Sequence, residues 1–109
     1  VPNTELATAA GLDVDNGILV DEQHRTSAEG VYAAGDVARA RTADGVLHRR
    51  EEHWEAAQLG GQRAAYGMLG LDAPARGTTW FWSDRHGIHL EAVGRLTGPG
   101  EIVVRDSGT

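Results

Sequence analysis

The chain has 109 residues, 40% of them hydrophobic, and its 16 acidic against 10 basic residues give a net charge of −6. That length suits one ordinary domain with a modest core, and no apolar run nears the roughly 18–20 residues that span a bilayer. Without a secretory signal either, a cytoplasmic protein with no membrane partner is expected. Every basic residue is arginine, with none of the clustering that binds nucleic acid, and the absence of cysteine excludes disulfides, thiolate metal sites and a CxxC redox pair within this stretch, so electron chemistry would need a bound cofactor.

In chain order, "VPNTELATAAGL" predicts a short helix through Leu6 and Ala10, capped by Asn3 and stopped at Gly11 in a left-handed conformation. Asn16-Gly17, between Leu12/Val14 and Ile18/Val20, is a hairpin signal. Thr26-Ser27 lead through a turn into a predicted strand, Val31–Ala34, which ends on Gly35-Asp36. Residues Arg39–Arg50 read as a polar loop with a turn at Asp44-Gly45 and a short strand over Val46–His48.

From His53 to Leu69 the spacing of Trp54, Ala57, Gly61, Ala64 and Met68 predicts a helix with a narrow buried stripe. Gly60 and Gly61 each cost about 1 kcal/mol against alanine there, so they point to close approach by another backbone. Gly70 ends the helix and Pro74 bars its continuation. Three strands are predicted next, Trp80–Asp84, Gly87–Gly94 and Glu101–Arg105, the last two joined by Thr97-Gly98-Pro99-Gly100 as an antiparallel meander. Such a sheet is incomplete, and the chain reads as truncated at both ends.

Asp36 is the first chemical candidate. A carboxylate past an apolar strand with small residues accepts hydrogen bonds only, which suits the hydroxyls of a ribose or ribityl chain; the ordinary alternative is an Asp that caps a turn. In "REEHWEAA" a helix start near His53 offers backbone N–H groups and the positive end of a dipole to an electron-rich ligand atom, although Glu51 and Glu52 also suit plain first-turn acids. His48, Glu51, Glu52 and His53 form no defensible metal set, nor do His86 and His89. "GPGEIV" fails the dinucleotide fingerprint because Val103 replaces its third glycine. Trp80 and Trp82 share one strand face, as core, interface or a lid on a planar ring.

Three motifs in order, "TSAEGVYAAGDVA", "EEHWEAAQLGGQRAA" and "WFWSD", resemble the FAD-dependent NAD(P)H:ferredoxin reductases, the putidaredoxin reductase-like branch of the pyridine nucleotide-disulfide oxidoreductase superfamily. The likeness spans essentially the whole chain. It implies that Asp36 of the Gly-Asp-Val motif, followed by Val37, meets the ribityl chain of FAD, and that the helix opening at His53 and Trp54 points its amino end at the flavin pyrimidine, where negative charge grows on reduction. It implies further that Glu52 and His53 approach the nicotinamide and that Trp82 lies by the isoalloxazine. The reaction so implied is hydride transfer from NADH or NADPH to FAD, then single electrons to a [2Fe–2S] ferredoxin. Arg85 departs from the family, which usually has glutamine there, and neither nucleotide-binding GxGxxG unit is present.

The fold class expected is therefore α/β, part of the FAD-binding domain of a three-layer flavoprotein, followed by the start of an α+β C-terminal domain with antiparallel strands. Residues 1–72 are assigned to the first, entering from the end of the nicotinamide domain, and 73–109 to the second. The 109 residues alone are expected to be inactive. Alternatives are the flavoprotein part of a nitrite reductase or an NADH oxidase, and a non-catalytic interaction or self-association fragment; oligomeric state stays open.

Overall fold

The computed structural model describes residues 1–94, 98–106 and 108, and divides into two units, Val1–Gly77 and Thr78–Thr109. In the first unit, helix α1 (Glu5–Ala9) is followed by strand β1 (Ile18–Val20), strand β2 (Ala38–Ala40) and helix α2 (Trp54–Met68). The second holds strands β3 (Trp80–Arg85) and β4 (Ile88–Val93). The mixed α/β first unit with a parallel strand pair, and the antiparallel second unit, match the fold class expected.

Both helices end as their glycines dictate. After α1 the Leu12 N–H bonds the Ala7 carbonyl and the Gly11 N–H bonds Thr8; after α2 the Leu71 N–H bonds Tyr66 and the Gly70 N–H bonds Gly67. This double closure satisfies carbonyls left over at a helix end and needs a left-handed residue, which Gly11 (φ +77°) and Gly70 (φ +69°) supply. At the start of α1 the position before the helix is Thr4, not Asn3, and no side chain caps it.

Asn16-Gly17 makes the expected reversal, with Val14 bridged antiparallel to Ile18 and the Leu19 N–H donating to Asp13. The chain does not continue as a hairpin ladder, because β1 turns its pairing to β2, which lies parallel in the register Ile18↔Ala38, Leu19↔Arg39, Val20↔Ala40. Arg39 stitches this pair to its surroundings: its Nη1 donates to the Asp15 carbonyl and its Nε to that of His48, both at 2.9 Å. The loop predicted over Arg39–Arg50 thus begins later, after β2. It turns at Gly45 as expected, and its expected strand is reduced to one bridge, Arg41↔Leu47.

The predicted strand Val31–Ala34 is also reduced to one bridge, Tyr32 with Arg25. Its backbone groups are claimed elsewhere: Ala33 N–H bonds the His24 carbonyl, and the Ala33 carbonyl accepts from His24 Nδ1. These contacts fix a tight crossing rather than a strand, and they bring Gly35 directly onto α2.

Among the described residues, the buried apolar ones are Ala7, Leu19, Val20 and Ala64. On α2 the buried positions are Gly60 and Ala64, whereas Trp54 and Met68 are 67% and 62% exposed and Gly61 faces open space. The buried stripe is therefore rotated from the predicted one. A Cβ on Gly60 would stand 3.0 Å from His24 Cε1, and one on Gly67 would stand 2.8 Å from Tyr32 Cε1 and 3.0 Å from the Gln23 carbonyl oxygen. Glycine at these two positions lets the 23–34 crossing pack closely against the helix, most tightly at Gly67.

In the second unit β3 and β4 pair antiparallel from Trp80↔Val93 to Arg85↔Ile88. The two-residue connection His86-Gly87 has positive φ at both positions (53° and 76°), the turn whose twist matches that of flanking strands. The predicted third strand, Glu101–Arg105, pairs with nothing among the described residues, and Ile102, Val103 and Val104 are exposed. Three consecutive apolar residues lack the alternation that would specify one buried face and hence a register. Thr97 of the expected connection lies outside the described residues. No helix among the described residues is long and apolar enough to cross a membrane.

Candidate functional site

The sequence candidates of the first unit gather at the amino end of α2. His53 occupies the N-cap position with extended backbone (φ −145°, ψ 159°), and its Nδ1 accepts from the Ala56 N–H at 3.3 Å. An accepting Nδ1 leaves the proton of the neutral ring on Nε2. Trp54 and Glu55 form the first turn behind it. The aligned peptide dipoles of a helix this long place partial positive charge at this end, where an electron-rich group is stabilised.

Asp36 lies in the turn between Gly35 and β2, so it precedes a strand instead of following one. Gly35 holds the left-handed conformation (φ +80°) that the reversal requires, and its Cβ position would lie 4.0 Å from Ala57 Cβ in the first turns of α2. Gly35, Ala56 and Gly60 line one cleft together with His24. The Asp36 side chain is exposed, and among the described residues no hydrogen bond or ion pair reaches its carboxylate. Val37 is half-buried and its carbonyl accepts from the Ile18 N–H at 2.8 Å, which ties the turn to β1.

Glu52 joins the two pieces through Arg50. Arg50 Nη1 donates to Glu52 Oε1 at 2.5 Å and to the Asp36 carbonyl at 2.7 Å. Asp36, Val37, Glu52, His53 and Trp54 thus belong to one locality, built by the 35–37 turn and the entry to α2. Glu51 turns to a different partner, the guanidinium of Arg76.

The donor and acceptor set fits a flavin nucleotide in kind. An exposed carboxylate without an internal partner suits a polyol, and a helix amino end suits the electron-rich edge of a ring. No group of three or more His, Cys, Asp or Glu that could hold a metal ion is present among the described residues.

Trp82 stands in the second unit, 40% exposed, and stacks on Trp80 with ring centroids 4.9 Å apart and planes 23° from parallel. The shared face expected for these tryptophans is present. Along that same face lie Asp84, His89 and Glu91: His89 Nδ1 meets Asp84 Oδ1 at 2.5 Å and its Nε2 meets Glu91 Oε1 at 3.2 Å. Hydrogen bonding to Asp84 first and Glu91 second raises the His89 pKa above its ordinary value.

Two residues of the site escaped the sequence reading, His24 and Arg50. The paired glycines of α2 signalled a close neighbour without naming His24. Arg50 was missed because, besides its neighbour Glu52, it acts on the remote Asp36 carbonyl and fills the space left at Gly17.

Comparison with known proteins gives two family matches. Residues 1–61 match the model described as pyridine nucleotide-disulphide oxidoreductase, and residues 80–109 match the reductase C-terminal domain. Among solved structures, the putidaredoxin reductase of the covalent putidaredoxin reductase–putidaredoxin complex is 38% identical, with a TM-score of 0.84 over 98% of this chain and 26% of its own. The ferredoxin reductase for the CYP199A2 system from Rhodopseudomonas palustris is 36% identical, with a TM-score of 0.85 over the same shares. The chain therefore spans about a quarter of the length of these reductases.

Proposed function

Because the chain belongs to the pyridine nucleotide-disulphide oxidoreductase family, we propose that it is the flavin-site portion of an NAD(P)H:ferredoxin reductase. On this reading residues 1–72 complete an FAD-binding domain and residues 73–109 open the reductase C-terminal domain. Support comes from the identity to two reductases, one of them solved in complex with its putidaredoxin partner, and from the sequence order of the three motifs.

The observation that carries the reading is the joining of Asp36 to the amino end of α2 through Arg50. Asp36 accepts from the sugar-alcohol hydroxyls of the flavin nucleotide, and Val37 lines the same stretch. The helix start at His53 and Trp54 stabilises negative charge on the ring by fixed dipoles that need no rearrangement during the reaction. Glu52 borders the nicotinamide position, and Trp82 offers a flat face to the stacked rings. FAD, when bound, supplies hydride acceptance from NADH or NADPH and release of electrons one at a time to a [2Fe–2S] ferredoxin. The protein orients the reactants and sets the charge around them.

The reading places the protein in the cytoplasm, and it assigns no turnover to the 109 residues alone, which span 26% of each of these reductases. The test is to purify the protein that carries this sequence and titrate it with FAD, then follow NADH- or NADPH-driven reduction of a [2Fe–2S] ferredoxin by its visible absorbance. Bound flavin with ferredoxin reduction is expected. Flavin reduction that proceeds only to oxygen, with no ferredoxin reduction, would favour the oxidase alternative.

A further inference from the structure

We propose that Arg50 is a positioning residue of this site, holding the Asp36 turn and Glu52 at a fixed place against the entry to α2. The inference rests on the flavin reading above and adds a residue to it. Three segments distant in sequence meet on this one side chain, which is only 11% exposed. Its Nη1 reaches the Asp36 carbonyl and Glu52 Oε1 at once. Its Cδ lies 2.6 Å from where a Cβ on Gly17 would be, so the 16–17 turn leaves room for the arginine stem only because that residue is glycine.

The arrangement is not what stability alone would select. Arg50 Nε is buried and has no hydrogen-bond partner among the described residues, and a buried N–H without an acceptor is destabilising. The clasp instead secures geometry. The Asp36 carbonyl is held by the guanidinium on one side, while the Val37 carbonyl is held by the Ile18 N–H on the other. The peptide plane after Asp36 is thereby held at its own carbonyl, the plane before it is held where the Gly35 carbonyl accepts from the Ala38 N–H, and together they fix the direction in which the Asp36 carboxylate leaves the backbone. Glu52, otherwise a half-exposed side chain, is aimed by the same nitrogen. A planar guanidinium keeps such a two-partner geometry, whereas a lysine ammonium is a compact point charge on a flexible stem.

The experiment compares Arg50→Ala, Arg50→Lys, Asp36→Ala and the Arg50→Ala/Asp36→Ala double variant in the protein carrying this sequence. FAD affinity is read by flavin fluorescence. Amide exchange without flavin is read at Ile18 and Ala38, whose N–H groups bond the Val37 and Gly35 carbonyls, and at Ala64 in α2 as a control. Arg50→Ala is expected to weaken FAD binding by roughly tenfold to a hundredfold, the range for losing hydrogen bonds from a charged donor, with Arg50→Lys intermediate. The double variant is expected to bind little worse than the weaker single one, because both changes remove the same placed carboxylate. Exchange at Ile18 and Ala38 should quicken while Ala64 is unchanged. Wild-type FAD affinity in Arg50→Ala, beside weakened binding in Asp36→Ala, would overturn the role of Arg50 and leave the flavin reading standing. Faster exchange at all three amides would reduce Arg50 to a general stabiliser and overturn it likewise. A wild type that binds no FAD would remove both.

Discussion

Alanine substitutions at the glycines of α2 separate the observed packing from the one its periodicity predicts. Gly61 has nothing within 4 Å of its Cβ position, so Gly61→Ala should simply gain helix propensity, about 1 kcal/mol of stabilisation. Gly67→Ala gains the same amount but drives its methyl to 2.8 Å from Tyr32 Cε1 and 3.0 Å from the Gln23 carbonyl oxygen. Overpacking of this kind costs roughly 1–3 kcal/mol, and a backbone oxygen cannot swing aside as a ring can, so the upper half of that range applies. The net for Gly67→Ala is then a loss of about 1–2 kcal/mol, opposite in sign to Gly61→Ala. Urea denaturation followed by helix circular dichroism measures both. Because Tyr32 sits three residues before Gly35, Gly67→Ala should also loosen the Asp36 turn and lower flavin affinity. Equal stabilisation by the two variants would refute the close approach of the 23–34 crossing to the helix.

The second unit carries two further tests. The His89 ring lies between Asp84 and Glu91, and its pKa is raised in the fold, so its contribution to the β3–β4 hairpin is full below the unfolded value of about 6.5 and lost as pH rises through the folded value. Tryptophan fluorescence from Trp80 and Trp82, on the same face, should report a weakening hairpin on going from mildly acidic to mildly alkaline pH. His89→Gln should abolish that change; a change persisting in the variant would assign it to another group. Trp82→Ala should remove the coupled circular dichroism of the stacked indoles, a contact worth about 0.5–1.5 kcal/mol beyond its area, and in the flavin-loaded protein it should alter the absorbance band formed with NADH. An unchanged band would take Trp82 out of the flavin site.

What could be read from the sequence follows the range of the interactions involved. The ends of both helices and the reversal at Asn16-Gly17 are local events, settled by which residue tolerates a left-handed backbone, and each is present. The hairpin of β3 and β4 is also local, closed by His86-Gly87. Strand pairing between distant segments is different. Val31–Ala34 has the composition of a strand, yet its backbone is claimed by His24, while the true parallel partner of β1 is the short Ala38–Ala40, which carries an arginine at its centre. A spacing of three and four residues finds a helix, but which face is buried depends on what packs there, and here glycines rather than Trp54 and Met68 turn inward. In the candidate site, Asp36 and the His53 entry were legible as motifs. The side chain that couples them was not, since Arg50 acts through a carbonyl, a carboxylate and the gap left at Gly17.

The central claim is that the Asp36 carboxylate receives the sugar-alcohol chain of a flavin beside the α2 entry. Asp36 is exposed and its side chain has no partner among the described residues, so replacing it should cost the fold little, within about 0.5 kcal/mol, and any effect on flavin is direct. The decisive measurement is an FAD titration of the full protein that carries this sequence, as wild type and as Asp36→Ala, with thermal unfolding of both in flavin-free form. The account predicts stoichiometric FAD in the wild type and at least about tenfold weaker binding in the variant, as for loss of charge-assisted hydrogen bonds, with superimposable unfolding curves. Equal FAD affinity in the two proteins would contradict it.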